Sequence, residues 1–358
     1  MVRDTGTFIN QDALRHNLQQ IRSFAPDKQV IAMVKANAYG CGIEKVAPAI
    51  FNEVRAFGVA FIGEALAIRE LGIQTECILF EGIFNKEELH IASQQNMLVV
   101  LHAPWQLNIL LETPLSNPVT VWIKIDSGMH RLGFLPDDIG IICQQLRACS
   151  WVKPKLGLMS HFSCADIPEH EINHQQLNCF NQIRTTLSGE FMLSMANSAA
   201  IISNPASHFD YVRPGIMLYG VSPFERQVAH QFNLRPVMQF RARVLDIHQY
   251  SEKQPIGYGA TWYTKRSSRI AVVTAGYGDG YPRHIKEGTL VWVAGQFVPI
   301  VGRVSMDLLT IDVTDCPQVA IGDSVELWGD NVPVESVAEQ AGTIAYELLC
   351  QYKERSVK

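Results

Sequence analysis

Short apolar runs alternate with amphipathic stretches through the first two thirds of the chain. Val30–Val34, Ala56–Ile62, Cys77–Phe80, Met97–Leu101, Val119–Ile125, Leu156–Met159, Phe191–Met195 and Tyr211–Val212 are nearly unbroken apolar segments. Such runs predict strands buried on both faces, as in a parallel sheet. Between them lie helical spacings. Asn10 is an N-cap before Leu14, Leu18 and Ile21, with Pro26 ending the element. Ile43–Phe51, Glu64–Leu71 and Glu169–Leu187 read as further helices. Eight strands alternating with helices over this length predict an α/β fold, a (β/α)8 TIM-type barrel.

Near Arg235 the period changes from helical to twofold. Met238, Phe240, Ala242 and Val244 alternate with Gln239, Arg241 and Arg243, a half-buried strand. Arg269–Thr274, Thr289–Val293, Phe297–Val301, Leu308–Val313 and Ser324–Trp328 follow between Gly, Pro and Asp turns, and Val334–Leu349 is helical again. The expected division is therefore a barrel over residues 1–234 and a mainly antiparallel β domain over 235–358.

Charge and composition narrow the function classes. A net charge of −5 gives no basic field for nucleic acid or an anionic membrane. No apolar run approaches the roughly 20 residues of a membrane span. Met1–Val2–Arg3–Asp4 lacks the apolar core of a signal peptide, and the eight cysteines form no Cys-x-x-Cys. These features lead to the expectation of a cytoplasmic enzyme without a disulfide framework.

Candidate chemistry falls at strand ends. Lys35 closes the run Val30–Val34 and precedes the small-residue turn Ala36–Gly40. At the C-terminal end of a barrel strand, beside apolar neighbours, a desolvated lysine tends toward the neutral amine that imine formation with an aldehyde requires. A lysine that merely ends a strand and snorkels to water fits the same pattern. In Val121–Arg131, Lys124 and Asp126 share a face, and Arg131 follows a Gly turn. The stretch fits either a polar cluster at a strand end or a structural ion pair. Arg213 ends the last strand, and the N–H groups of Gly215 and Ile216 offer an anion site, with Asn197 and Ser198 beside it after the preceding strand. An ordinary strand-to-helix turn reads the same way. His161 follows Met159–Ser160 and fits a site or a hydrogen-bonded core histidine. In the β domain, tyrosines 258 and 277 sit between glycines, as though rings were presented from tight loops. His170–Glu171–Ile172–Asn173–His174 matches a zinc signature on a helix. It lies away from the strand ends and has no third ligand nearby, so no metal is expected.

Together these stretches resemble the alanine racemases, enzymes that use pyridoxal 5′-phosphate (PLP) in a fold-type III barrel. The resemblance covers essentially the whole chain, with Val34–Gly40 similar to the cofactor-lysine motif and further motifs in family order. It implies that Lys35 bonds the cofactor and is one catalytic base, and that Tyr258 from the other subunit of a homodimer is the second. Arg213 would donate to the pyridine nitrogen, with His161 linking it to Tyr258. Arg131 would contact the phenolic oxygen and the substrate carboxylate. Tyr39, Ser198, Gly215, Ile216 and Tyr346 would hold the phosphate, with Asn197 beside it. Lys124 matches a lysine often carbamylated in the family. Met306 and Asp307 would come from the partner, Met306 with its backbone N–H near the substrate carboxylate, and the partner's Tyr277 and Arg283 would line the entrance.

Racemisation by two bases on opposite faces removes and returns the α-proton directly. Arginine cannot surrender its proton, so the ring it faces stays neutral and side reactions are held down. The implied function is interconversion of L- and D-alanine, supplying D-alanine for peptidoglycan. A broader small amino-acid racemase is one alternative. A non-catalytic PLP-binding barrel is another, and the added β domain argues against it. A barrel decarboxylase would call for an acid at the position of Arg213.

Overall fold

The computed structural model describes residues 4–352. Met1, Val2 and Arg3, on which the absence of a leader was read, lie outside the described residues.

The first strand, β1 (Gly6–Ile9), precedes a helix, Gln11–Phe24, capped by Asn10, whose Oδ1 accepts from the N–H groups of Asp12 and Ala13 at 3.0 Å each. Leu14, Leu18 and Ile21 are fully buried on its inner stripe, as their spacing predicts. Eight parallel strands then close a barrel: β2 (Gln29–Met33), β3 (Ala56–Val59), β4 (Glu76–Leu79), β5 (Leu98–Leu101), β6 (Val121–Lys124), β7 (Leu156–Met159), β8 (Phe191–Ser194) and β9 (Tyr211–Val212). Closure comes from β9 pairing back onto β2, Tyr211 opposite Gln29 and Val212 opposite Val30. The expected eight-stranded barrel is present, with strand ends shifted by at most three residues.

The remaining strands are β10 (Met238–Tyr250), β11 (Pro255–Ile256), β12 (Trp262–Tyr263), β13 (Ser268–Val273), β14 (Leu290–Val293), β15 (Gln296–Pro299), β16 (Leu309–Asp312) and β17 (Ser324–Trp328). An antiparallel sheet runs β15-β14-β17-β10-β13-β16, and β11 with β12 forms a separate hairpin. Strand β10 is the spine. It pairs with β17 through Arg243 and, past a bulge between Val244 and Asp246, with β13. Phe240, Trp328 and Tyr281 fill the core beneath it, with the first two rings 4.7 Å apart edge to face.

Two features depart from expectation. Strand β1 pairs with β10, Gly6 opposite Arg241, so the start of the chain belongs to the β sheet rather than to the barrel. The expected helix Val334–Leu349 is two helices, Val334–Ala341 and Ala345–Gln351, because Gly342 takes φ +67° and stops the first. The break turns the second helix toward the barrel mouth. Asn17 ties the units together: its Nδ2 donates to the carbonyls of Leu218 and Arg235, and its Oδ1 accepts from Arg235 N–H. Among the described residues no helix is long and apolar enough to cross a membrane.

Candidate active site

At the C-terminal end of the barrel lies a cavity of about 590 Å³. It is lined by Lys35, Tyr39, Lys124, Arg131, His161, Asn197, Ser198, Arg213, Gly215, Ile216 and Tyr346, all singled out from the sequence. Four are cations, and Glu81 is the only carboxylate among the lining residues. A donor set of this kind suits an anion and lacks the clustered carboxylates, histidines or thiolates a metal would use.

Lys35 stands at the barrel mouth after β2. It is exposed, and the expected desolvation is not found there. The strand buries Val30–Val34, and the chain then turns outward. The sheltered amine is Lys124. Burial, and then Arg213, Arg131 and Lys35 nearby, pull its pKa down to about 8 against the opposing pull of Asp126. The turn after Lys35 is also unlike a glycine turn. Ala36, Asn37, Ala38 and Tyr39 all hold φ near +53° to +54°, a left-handed turn built from non-glycine residues. Each such residue costs roughly 1–2 kcal/mol, and backbone strain of this kind concentrates at functional sites. At Gly40 the φ is +77°, and a Cβ there would sit 2.0 Å from the Leu349 carbonyl oxygen. The C-terminal helix is thereby packed against this turn, which brings Tyr346 to the cavity.

Asp126 does not form an ion pair with Lys124. Its Oδ1 accepts from the N–H groups of Gly128, Met129 and His130 at 3.0–3.1 Å. Burial works against the carboxylate, but the His130 and Gly128 N–H groups hold its pKa below the usual value. The loop so fixed delivers Arg131.

Arg213 is 4% exposed. Its Nη1 donates to Ser194 Oγ at 2.6 Å, and its Nη2 reaches the carbonyls of Ser160 (2.6 Å) and Met195 (3.1 Å) and His161 Nδ1 (3.3 Å). Burial brings its pKa down to about 10, which leaves it charged at neutral pH. Because guanidinium only donates, His161 Nδ1 must accept, so the proton sits on Nε2. Burial first, then Arg213, Lys124, Arg131 and Lys35, push the His161 pKa well down and keep the imidazole neutral.

Ser198 opens a short helix capped by Asn197. Ser198 Oγ accepts from Gly215 N–H at 2.9 Å. A Cβ on Gly215 would lie 2.4 Å from Tyr39 Oη, so the glycine makes room for that phenol. Tyr39 is stacked on Tyr219 at 4.7 Å and tilted against Tyr346 at 6.1 Å. Burial raises the pKa of both Tyr39 and Tyr346, leaving them as hydroxyl donors. Hydroxyls, an N–H and a helix start gathered at one end of a cationic cavity fit a phosphate. With the Lys35 amine and the Arg131 and Arg213 guanidinium groups lining the same cavity, the residues present fit PLP.

Tyr258, Tyr277, Arg283, Met306 and Asp307 are not among the lining residues of that cavity. Several lie together elsewhere, on the β domain. Tyr277 N–H donates to the Ser305 carbonyl and Gly278 N–H to that of Met306. The Tyr258 loop packs on the next turn, with Gly257 near Arg303. Tyr258 is 69% exposed and Met306 54% exposed. His170 caps its helix, its Nδ1 accepting from Ile172 N–H. Among the described residues no group of three His, Cys, Asp or Glu could hold a metal. Ser160 and Ser194, which anchor Arg213, were not anticipated. The available signal was a serine interrupting or ending an otherwise apolar strand.

Residues 9–223 match the family model for the alanine racemase N-terminal domain, and residues 237–358 match that for the C-terminal domain. The chain is 54% identical over 355 residues to the alanine racemase of Legionella pneumophila (strain Corby), covering 99% of each. It is 44% identical to that of Shewanella woodyi, covering 97% of this chain and 96% of the relative. Among solved structures, the biosynthetic alanine racemase of Pseudomonas aeruginosa superposes with a TM-score of 0.95 at 40% identity, covering 99% of this chain and 98% of the other.

Proposed function

From the premise that this chain belongs to the alanine racemase family, we propose that it interconverts L- and D-alanine with PLP in the barrel-mouth cavity. The observation that carries the reading is the convergence of Lys35, Arg131 and Arg213 with a hydroxyl and N–H cradle in one cavity. PLP, when bound, supplies the electron sink that makes the substrate α-proton removable.

The residues divide the work as follows. With PLP bound, the Lys35 amine would hold its aldehyde and would take or return the substrate α-proton on one face. Tyr258 Oη of the partner subunit does the same on the other face, so a proton lost on one side is replaced on the opposite side. Tyr39, Ser198, Gly215, Ile216 and Tyr346 hold the phosphate, with Asn197 fixing the start of the Ser198 helix. Arg213, charged and already bonded on its inner side, donates to the pyridine nitrogen without protonating it. His161 links it toward Tyr258. Arg131 takes the phenolic oxygen and the substrate carboxylate. A neutral amine is what carbon dioxide captures as a carbamate with release of one proton, and the lowered pKa of Lys124 favours that amine. The carbamate would place a negative charge beside Arg131. Met306 meets the substrate carboxylate through its backbone N–H with Asp307 supporting it, while Tyr277 and Arg283 line the entrance, all four from the partner. The clustering of Tyr258, Met306 and Tyr277 on an exposed face of the β domain supports a homodimer with shared sites. The product supplies cytoplasmic peptidoglycan precursors.

Incubation with L-alanine tests the reading. The circular dichroism of the amino acid should decay to zero, and borohydride should abolish the activity by fixing PLP on Lys35. PLP binding without loss of optical activity would leave the cofactor-binding barrel instead. Equal rates on serine would favour the broader racemase.

A further inference from the structure

We infer that Glu64 is a positioning residue for Lys35, holding in place the strained turn that aims the amine. The inference rests on Lys35 being the cofactor lysine. Glu64 lies in the first turn of the helix Ile62–Glu70, which follows β3, the neighbour of β2. Its side chain reaches across both strand ends. Oε1 accepts from Ala36 N–H at 2.6 Å, and Oε2 accepts from Ala60 N–H at 2.8 Å. Ala36 is the residue directly after Lys35 and the first of the four with positive φ.

Here the two backbone donors are met by separate oxygens of one side chain. Only a carboxylate supplies both without a donor of its own. An amide would turn an NH2 group onto one of the N–H groups and leave that donor unpaired. The C-terminal helix packs on the turn at Gly40, but the turn's other backbone hydrogen bonds run within it or to the chain directly before and after it. Gly40 N–H donates to the Ala36 carbonyl, and Asn37 Oδ1 accepts from Ile43 N–H. Glu64 is thus the tie between the residue next to Lys35 and a separate rigid barrel element. A left-handed turn of alanine, asparagine and tyrosine relaxes when its restraint is removed, and relaxation at Ala36 moves the Lys35 Cα with it. Misplacement of a reacting group by about 1 Å costs on the order of 100-fold in rate.

The test compares Glu64→Gln and Glu64→Asp with wild type, using Glu70→Gln at the far end of the same helix as a control. PLP affinity of the cofactor-free protein, melting temperature, and kcat and KM per bound cofactor are measured. Glu64→Gln should lose about tenfold or more in kcat and in PLP affinity, with KM for L-alanine within about twofold. Glu64→Asp keeps both oxygens with a shorter reach and should fall between. Wild-type kcat and PLP affinity in Glu64→Gln would overturn the inference. So would a lowered melting temperature alone, which marks a structural tie with no bearing on Lys35. If Glu64→Gln fails to fold, Glu64→Asp is judged by the same criteria. Borohydride trapping on wild type separates the two layers: no adduct on Lys35 there defeats the cofactor-lysine reading itself, whatever the variants do.

Discussion

Arg213 and His161 show how burial decides a side chain's role. A guanidinium with four bonds to two neighbouring strand ends has no freedom to move or to change charge. It forces the acceptor tautomer on His161 and keeps the ring neutral. The pH consequence has a definite sign. A histidine whose folded pKa is depressed binds its proton more readily in the unfolded chain. Its contribution to stability is therefore full above the unfolded value near 6.5 and is lost as pH falls below it. Denaturant unfolding of the cofactor-free protein at pH 7.5, 6.5 and 5.5 should show stability dropping below pH 6.5, with up to about 1.4 kcal/mol per unit of that slope due to His161. The slope should flatten in His161→Gln. An unchanged slope in the variant would place the proton elsewhere. For the two bases the expectation is a split. Lys35→Ala should abolish turnover in both directions and remove the borohydride adduct. Tyr258→Ala should most strongly slow removal of the α-proton from L-alanine, as read by deuterium exchange from each enantiomer. Equal wild-type rates in both variants would remove the two-base scheme.

The elements carrying these side chains were legible to different degrees. Strands β2 to β9 could be read because a barrel strand is apolar on both faces. Lys35, Lys124 and Arg213 stood out as charges at the ends of such runs. Strand β1 escaped notice because Gly6–Ile9 is short and only half buried. Strand β10 is longer than its alternation suggested, since the pattern stops at the bulge near Asp246 and the strand continues half exposed to Tyr250. The left-handed turn after Lys35 could not be read at all. Alanine and tyrosine avoid that region on their own, and contacts from Glu64 and the C-terminal helix impose it. The cradle at the other end of the cavity gives a direct test of an element boundary. A Cβ on Gly215 would lie 2.4 Å from Tyr39 Oη, so an added methyl crowds that phenol. Gly215→Ala should displace Tyr39, lower PLP affinity about tenfold or more, and leave the secondary structure intact by circular dichroism. Unchanged affinity would move the phosphate end elsewhere.

Taken as one body, the chain builds most of a site and leaves the rest on its far domain. The barrel cavity holds a cofactor's worth of donors but only one of the two proposed bases. The second sits 69% exposed on a β-domain loop, beside Tyr277 and Met306. The proposed closed symmetric dimer would resolve this by placing each loop at the other protomer's barrel mouth. That arrangement was open to sequence only through family likeness, because no pattern within one chain records which copy a loop serves. Mixing Lys35→Ala and Tyr258→Ala subunits under conditions of exchange tests it most directly. Each parent is inactive or strongly impaired. In a mixed dimer with shared sites, one of the two sites regains both native bases, so a random mixture should recover about a quarter of wild-type activity. Activity no greater than the sum of the two parents would mean that each protomer supplies its own Tyr258, contradicting the account.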